Sequence, residues 1–87
     1  MAYNDTFFSP EDRYSVGIED RTSRCYVSIP VSNGPVDYEE RYAITPSQYQ
    51  LFLADRVAAI EFVGSCRRRE CDDLLMEKPG WNRGTPV

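Results

Sequence analysis

Residues 24–44 read Arg24-Cys25-Tyr26-Val27-Ser28-Ile29-Pro30-Val31-Ser32-Asn33-Gly34-Pro35-Val36-Asp37-Tyr38-Glu39-Glu40-Arg41-Tyr42-Ala43-Ile44. Two alternating stretches flank Asn33-Gly34, a pair that tolerates positive φ at both positions and so favours a two-residue hairpin loop. A type I′ loop there sets Val31 opposite Val36, Ile29 opposite Tyr38, Val27 opposite Glu40 and Cys25 opposite Tyr42 on one face. The other face then carries Tyr26 opposite Arg41, Ser28 opposite Glu39 and Pro30 opposite Asp37. One face is apolar and one polar, and a one-residue slip would exchange them.

Upstream, residues 13–19 alternate again, with Tyr14, Val16 and Ile18 apolar and Ser15 and Gly17 between them. A four-residue turn, Asp20-Arg21-Thr22-Ser23, puts Ile18 opposite Cys25, Val16 opposite Val27 and Tyr14 opposite Ile29. Gly17 falls opposite Tyr26, whose ring can cover bare backbone. Pro30 lies opposite Arg13, at the end of that strand's reach, where a missing N–H is tolerated. The first twelve residues are polar with Tyr3, Phe7 and Phe8 embedded. Ser9-Pro10-Glu11-Asp12 reads as a turn with Ser9 as cap, and the segment is expected to be loosely ordered, with Phe7 and Phe8 covering a core edge.

Downstream, Thr45-Pro46-Ser47-Gln48 is a helix start: Thr45 the cap, Pro46 the first helical residue, Gln48 the reciprocal half of a capping box, with Ile44 and Tyr49 in staple positions. Phe52, Leu53, Val57, Ile60 and Val63 continue at helical spacing, and Phe62 and Cys66 widen the stripe. Asp55 is a potential second cap, so 46–71 reads as one kinked helix or two. Leu74-Leu75-Met76 is too short for periodicity to decide between a fourth strand and a last helical turn; a strand that would cover the sheet edge is the preferred reading.

The fold class is therefore α+β, a three-stranded antiparallel meander covered on one face by C-terminal helix. The division is a loosely ordered 1–12, a domain over 13–78 and an irregular tail over 79–87. Eighty-seven residues make one domain, which buries roughly 60–65% of its unfolded surface. A net charge of −4 argues against a general nucleic-acid binder and suits a basic protein partner. No apolar run approaches the ~20 residues of a membrane span. The N-terminal residues lack the pattern of a signal peptide, and three cysteines, an odd number, fit a reducing compartment, so a cytoplasmic location is expected.

Histidine is absent, which removes the commonest general base and metal ligand. Cys66 and Cys71, five apart, would sit roughly 140° apart on a continuous helix and not converge. The cysteines therefore read as two buried thiols and one near a helix end, with no cofactor or metal implied. Arg67, Arg68 and Arg69 form the one basic run, read as a solvated helix end or protein contact before a phosphate site. Asp37, Glu39, Asp72 and Asp73 read as solvated polar positions, and no nucleotide-binding, nucleophile-elbow or zinc-helix motif is present.

The expectation from these features is a non-catalytic protein-interaction module, one form of it an inhibitor or immunity-type protein, with self-association as a homodimer also in view. Its candidate contacts are Trp81, Tyr26, Arg41 and the three arginines. Two alternatives stand beside it. One is a nucleic-acid-associated protein using Arg67, Arg68 and Arg69. The other is a small-ligand domain with a groove floored by Glu40 and walled by Tyr38 and Tyr42. Glu40 violates the apolar face. It is expected either to be paired, by Arg56, Arg67 or a tyrosine hydroxyl, or to floor that groove.

Overall fold

The computed structural model describes residues 2–34, 36–78 and 83–87. The chain runs β1 (Tyr3–Ser9), β2 (Tyr14–Glu19), β3 (Cys25–Ser32), β4 (Asp37–Ile44), α1 (Pro46–Ala54), α2 (Arg56–Arg67), a 3-10 turn (Asp72–Leu74) and β5 (Thr85–Pro86). The sheet is an antiparallel meander in the order β1-β2-β3-β4, and β5 adds to β3 beyond the end of β2. The fold is α+β, with both helices packed against the apolar face of the sheet.

The β2–β3 register follows the sequence pattern: Val16 pairs with Val27, Gly17 with Tyr26 and Ile18 with Cys25. A Cβ on Gly17 would stand 2.3 Å from the Asn4 carbonyl oxygen and 2.7 Å from Tyr26 Cζ, so only glycine fits beneath the ring.

The β3–β4 register differs from the expected one by two residues. Val27 pairs with Tyr42, Ile29 with Glu40 and Val31 with Tyr38. The Asn33 N–H donates to the Val36 carbonyl, which closes the loop one residue later than an Asn33-Gly34 turn. The chemistry of Pro35 explains the shift. A type I′ turn on Asn33-Gly34 is closed by the N–H of residue 35, and proline has none. Gly34 takes the positive φ (100°), whereas Asn33 does not. A shift of two keeps every side chain on its face, so the apolar and polar sides stand as read.

The segment expected to be loosely ordered, 1–12, contains β1, which pairs with β2 along its length. Its alternation is hidden by a bulge at Thr6: Asp5 pairs with Gly17 and Phe7 with Val16, so the facing side switches in mid-strand. Phe7 leans on the Tyr14 ring, at 5.9 Å between centroids, yet stays 42% exposed, and Phe8 is 57% exposed. They cover less of the core than expected. Residues 74–76 form no strand. The 3-10 turn leads to a single bridge, Leu75 to Tyr42, and Met76 N–H donates to the Arg41 carbonyl, which covers part of the β4 edge. In the tail, Thr85–Pro86 pairs with β3, and the Val87 N–H donates to the Pro30 carbonyl. Pro30's nitrogen faces the same way as its carbonyl, toward Val87 of the tail and past the last β2 partner, so its missing donor breaks no bond to β2 or β4.

The capping box on α1 forms as read, with Gln48 N–H donating to Thr45 Oγ1 and Thr45 N–H to Gln48 Oε1. Asp55 ends α1 in an extended conformation and caps α2 through the N–H groups of Val57 and Ala58. This break resets the helical phase. The buried stripe is Phe52, then Ala59, Val63 and Cys66, with Phe62 partly in. Leu53, Val57 and Ile60, expected in the core, face outward, Val57 at 65% exposure. A stripe traced through Asp55 as one continuous helix misplaces them.

Candidate functional site

α2 ends in a Schellman motif. Arg69 adopts the left-handed conformation (φ 61°), its N–H donates to the Cys66 carbonyl, and Glu70 N–H donates to the Ser65 carbonyl. The chain is thereby turned back toward the sheet, and Asp72 arrives beside Glu40. Between them lies Arg83. Its Nε and Nη2 donate to Glu40 Oε2 and Oε1 at 2.6 and 2.8 Å, and its Nη1 and Nη2 to Asp72 Oδ2 and Oδ1 at 2.7 and 2.9 Å. Tyr42 Oη adds a third bond to Glu40, at 2.9 Å. Arg69 Nη2 holds the Gly84 carbonyl, and Gly84 N–H donates to Tyr38 Oη. A Cβ on Gly84 would stand 2.6 Å from the Ser32 carbonyl oxygen, so the tail lies directly on β3 backbone.

Glu40 is thus a partnered carboxylate on an otherwise apolar face. Its cation is Arg83, not Arg56 or Arg67, and no spacing rule in the sequence links residues 40 and 83. Tyr38 and Tyr42, expected as groove walls, are part of this clamp, and Tyr42 is fully buried. Burial, and then the Glu40 bond, push the Tyr42 hydroxyl's pKa up, so it remains a donor. The Glu40 and Asp72 hydrogen bonds hold Arg83 firmly cationic, and Arg83 in turn holds the Asp72 carboxyl below its ordinary pKa.

The other expected contacts are spread over the molecule. Tyr26 is fully buried: its hydroxyl donates to Asp5 Oδ1 at 2.6 Å and its ring meets Tyr3 edge-on at 5.3 Å. It therefore presents no ring to a partner. Arg41 lies over the Tyr3 ring, 3.9 Å from its centroid, and 3.6 Å from Glu39. Its buried Nε finds no hydrogen-bond partner among the described residues. Of the basic run, Arg67 clasps the carbonyls of Asp12 and Arg13, Arg68 pairs with Glu70, and Arg69 holds Gly84. Arg56 is paired with Glu11 and Asp12. Trp81 lies outside the described residues. Cys66 and Cys71, expected to diverge, come into one packed cluster, because the Schellman turn reverses the chain between them. Cys66 and Cys25 are buried and Cys71 is half-buried.

The outer sheet face is the remaining candidate. Its floor, Ser15, Gly17, Tyr26 and Ser28, is buried beneath Tyr3, Asp5, Glu39 and Arg41. No helix or strand layer of the described residues packs over it. Two open grooves, of about 500 and 540 Å³, share Pro30 and Glu39. The first has Asp5 and Phe8 on its other wall, and the second has Asp37, Tyr38 and Glu77. Sequence reasoning found Glu39 and Asp37 only as solvated strand positions; Asp5 and Glu77 come to this face through β1 and the chain after the 3-10 turn. A smaller hollow of about 140 Å³ is lined by Tyr3, Tyr38, Glu40, Arg41, Glu77 and Lys78, so two of the three residues expected to form a groove, Glu40 and Tyr38, border it, and Tyr42 does not.

No group of three potential metal-ligating side chains occurs among the described residues, and no helix among them is long and apolar enough to cross a membrane. Comparison of the chain with family models, curated proteins and solved structures finds no match.

Proposed function

We propose that this chain is a non-catalytic protein-interaction module whose outer sheet face docks a basic partner protein. An inhibitor or immunity-type protein is the specific form of that reading. One observation carries it: the grooved, uncovered outer face, where Asp5, Asp37, Glu39 and Glu77 outnumber Arg13 and Arg41. Complementary charge on such a face steers encounter and selects partners. The tyrosine and proline walls supply apolar area with little side-chain entropy to lose.

The alternative readings have weaker motives. The three arginines that would grip nucleic acid are engaged on carbonyls and a carboxylate of their own chain. The carboxylate that would floor a ligand groove is taken by Arg83 and Tyr42. Affinity purification of the tagged chain beside a Asp37→Lys/Glu39→Lys variant tests the proposal. A co-purifying basic protein that is lost at high salt and lost from the variant supports it; an identical set of proteins from both chains refutes it.

A second reading rests on a different observation. β1 is the edge of the sheet, and it exposes Phe7 and Phe8. Open edges pair readily with other strands, so self-association along β1 is the competing use of this domain. Light scattering at micromolar concentration tests it, and a monomer of 10.0 kDa alone rules it out.

A further inference from the structure

We propose that Cys66 and Cys71 form a reversible oxidation site: a dithiol that low-molecular-weight disulfides, such as oxidised glutathione, convert to an internal disulfide. The geometry comes from the end of α2. On a continuous helix these residues would point apart. Here Arg69 stands in the left-handed conformation, and the bonds from Arg69 N–H to the Cys66 carbonyl and from Glu70 N–H to the Ser65 carbonyl reverse the chain. Cys71 therefore packs back against the core cluster that contains Cys66, and its charge is felt at the Cys66 thiol.

The two sulfurs differ in access. Cys66 has no exposed surface, whereas Cys71 is half-buried and so reachable from solvent. Burial, and then Cys71, push the Cys66 thiol's pKa up, so it stays protonated until the reaction reaches it. Cys71 is the group that meets the oxidant. As the thiolate it attacks one sulfur of the small disulfide; that S–S bond breaks, and one thiolate leaves. Cys66 then gives its proton to solvent and attacks Cys71 Sγ. The Cys66–Cys71 bond forms and the second thiolate leaves. Two protein thiols are oxidised and one small disulfide is reduced to two thiols. Cys25, buried on β3, takes no part. Asp72, the next residue after Cys71, holds Arg83, so the site lies at the root of the tail clamp.

The test is intact-mass analysis of the full chain after incubation with oxidised glutathione, followed by unfolding and alkylation of the remaining thiols. The expected product is a monomer that has lost two hydrogens and carries one alkylated cysteine, Cys25, with 66 and 71 joined in the peptide map. Cys66→Ser should stop at a mixed disulfide of glutathione on Cys71, and Cys71→Ser should leave all remaining thiols free. Three alkylatable thiols after prolonged exposure, a disulfide that includes Cys25, or dimers linked between chains would each overturn the proposal. Wild type decides the question by itself, so it survives any failure of a variant to fold.

Discussion

Removing the Glu40 carboxylate should destabilise the domain through the clamp it shares with Arg83. Glu40 is 5% exposed and accepts three bonds, two from Arg83 and one from Tyr42. Breaking a buried ion pair by deleting one partner costs about 3–5 kcal/mol when the other charge is left without company. Arg83 is not left so, because both its bonds to Asp72 survive and Asp72 is 43% exposed at its side chain. The cost of Glu40→Ala is therefore placed lower, at about 2–3 kcal/mol, most of it from the unpaired Tyr42 hydroxyl and the half-paired guanidinium. In a domain of this size that is a fall in Tm of roughly 10–20 °C. Thermal and urea unfolding of Glu40→Ala, Arg83→Ala and the double variant give the coupling directly. The expectation is that the double variant loses at least about 1 kcal/mol less than the sum of the singles. Strictly additive losses, or a Glu40→Ala chain as stable as wild type, would refute the clamp. A Tm raised by Glu40→Leu with binding unchanged would mean that the carboxylate is merely tolerated.

Gly17→Ala should cost about 3 kcal/mol in urea unfolding, the upper end for overpacking, because the Asn4 carbonyl cannot yield without lifting β1; an unchanged midpoint would mean that β1 is not seated as described. Replacing Arg67, Arg68 and Arg69 by Gln should leave filter retention of DNA and RNA at background while lowering Tm, since Arg67 and Arg69 hold backbone carbonyls; a retention that falls steeply with salt and vanishes in the variant would reverse that expectation. Asp72 has a folded pKa depressed by Arg83, so its contribution is fully present above its unfolded pKa of about 4 and is lost as pH falls through the folded value. Acid unfolding followed by circular dichroism should therefore show a steep loss below about pH 4 that is shallower in Arg83→Ala, and parallel profiles would contradict the pairing.

The partner of Glu40 shows where sequence reasoning stops. That Glu40 needs a partner follows from its place in an alternating strand, because a charge on a buried face must be compensated. That the partner is Arg83 does not follow, since the two are 43 residues apart and meet only after the helix C-cap turns the chain and β5 pins the tail. Local chemistry determined the rest of what was legible: two faces fixed by alternation, the β2–β3 register, the capping box at Thr45 and the helix break at Asp55. The β3–β4 register was also local, for it rests on the absent N–H of Pro35, a signal outweighed by the neighbouring Asn-Gly pair. What only the tertiary structure decided depends on long-range pairing or on a reset of phase. β1 is concealed by its bulge, the helical stripe by the break at Asp55, and the meeting of Cys66 with Cys71 by a left-handed arginine. Periodicity reports which side of an element is apolar, but it is carried forward only while the backbone stays regular. Each of these three sites is a place where the backbone does not.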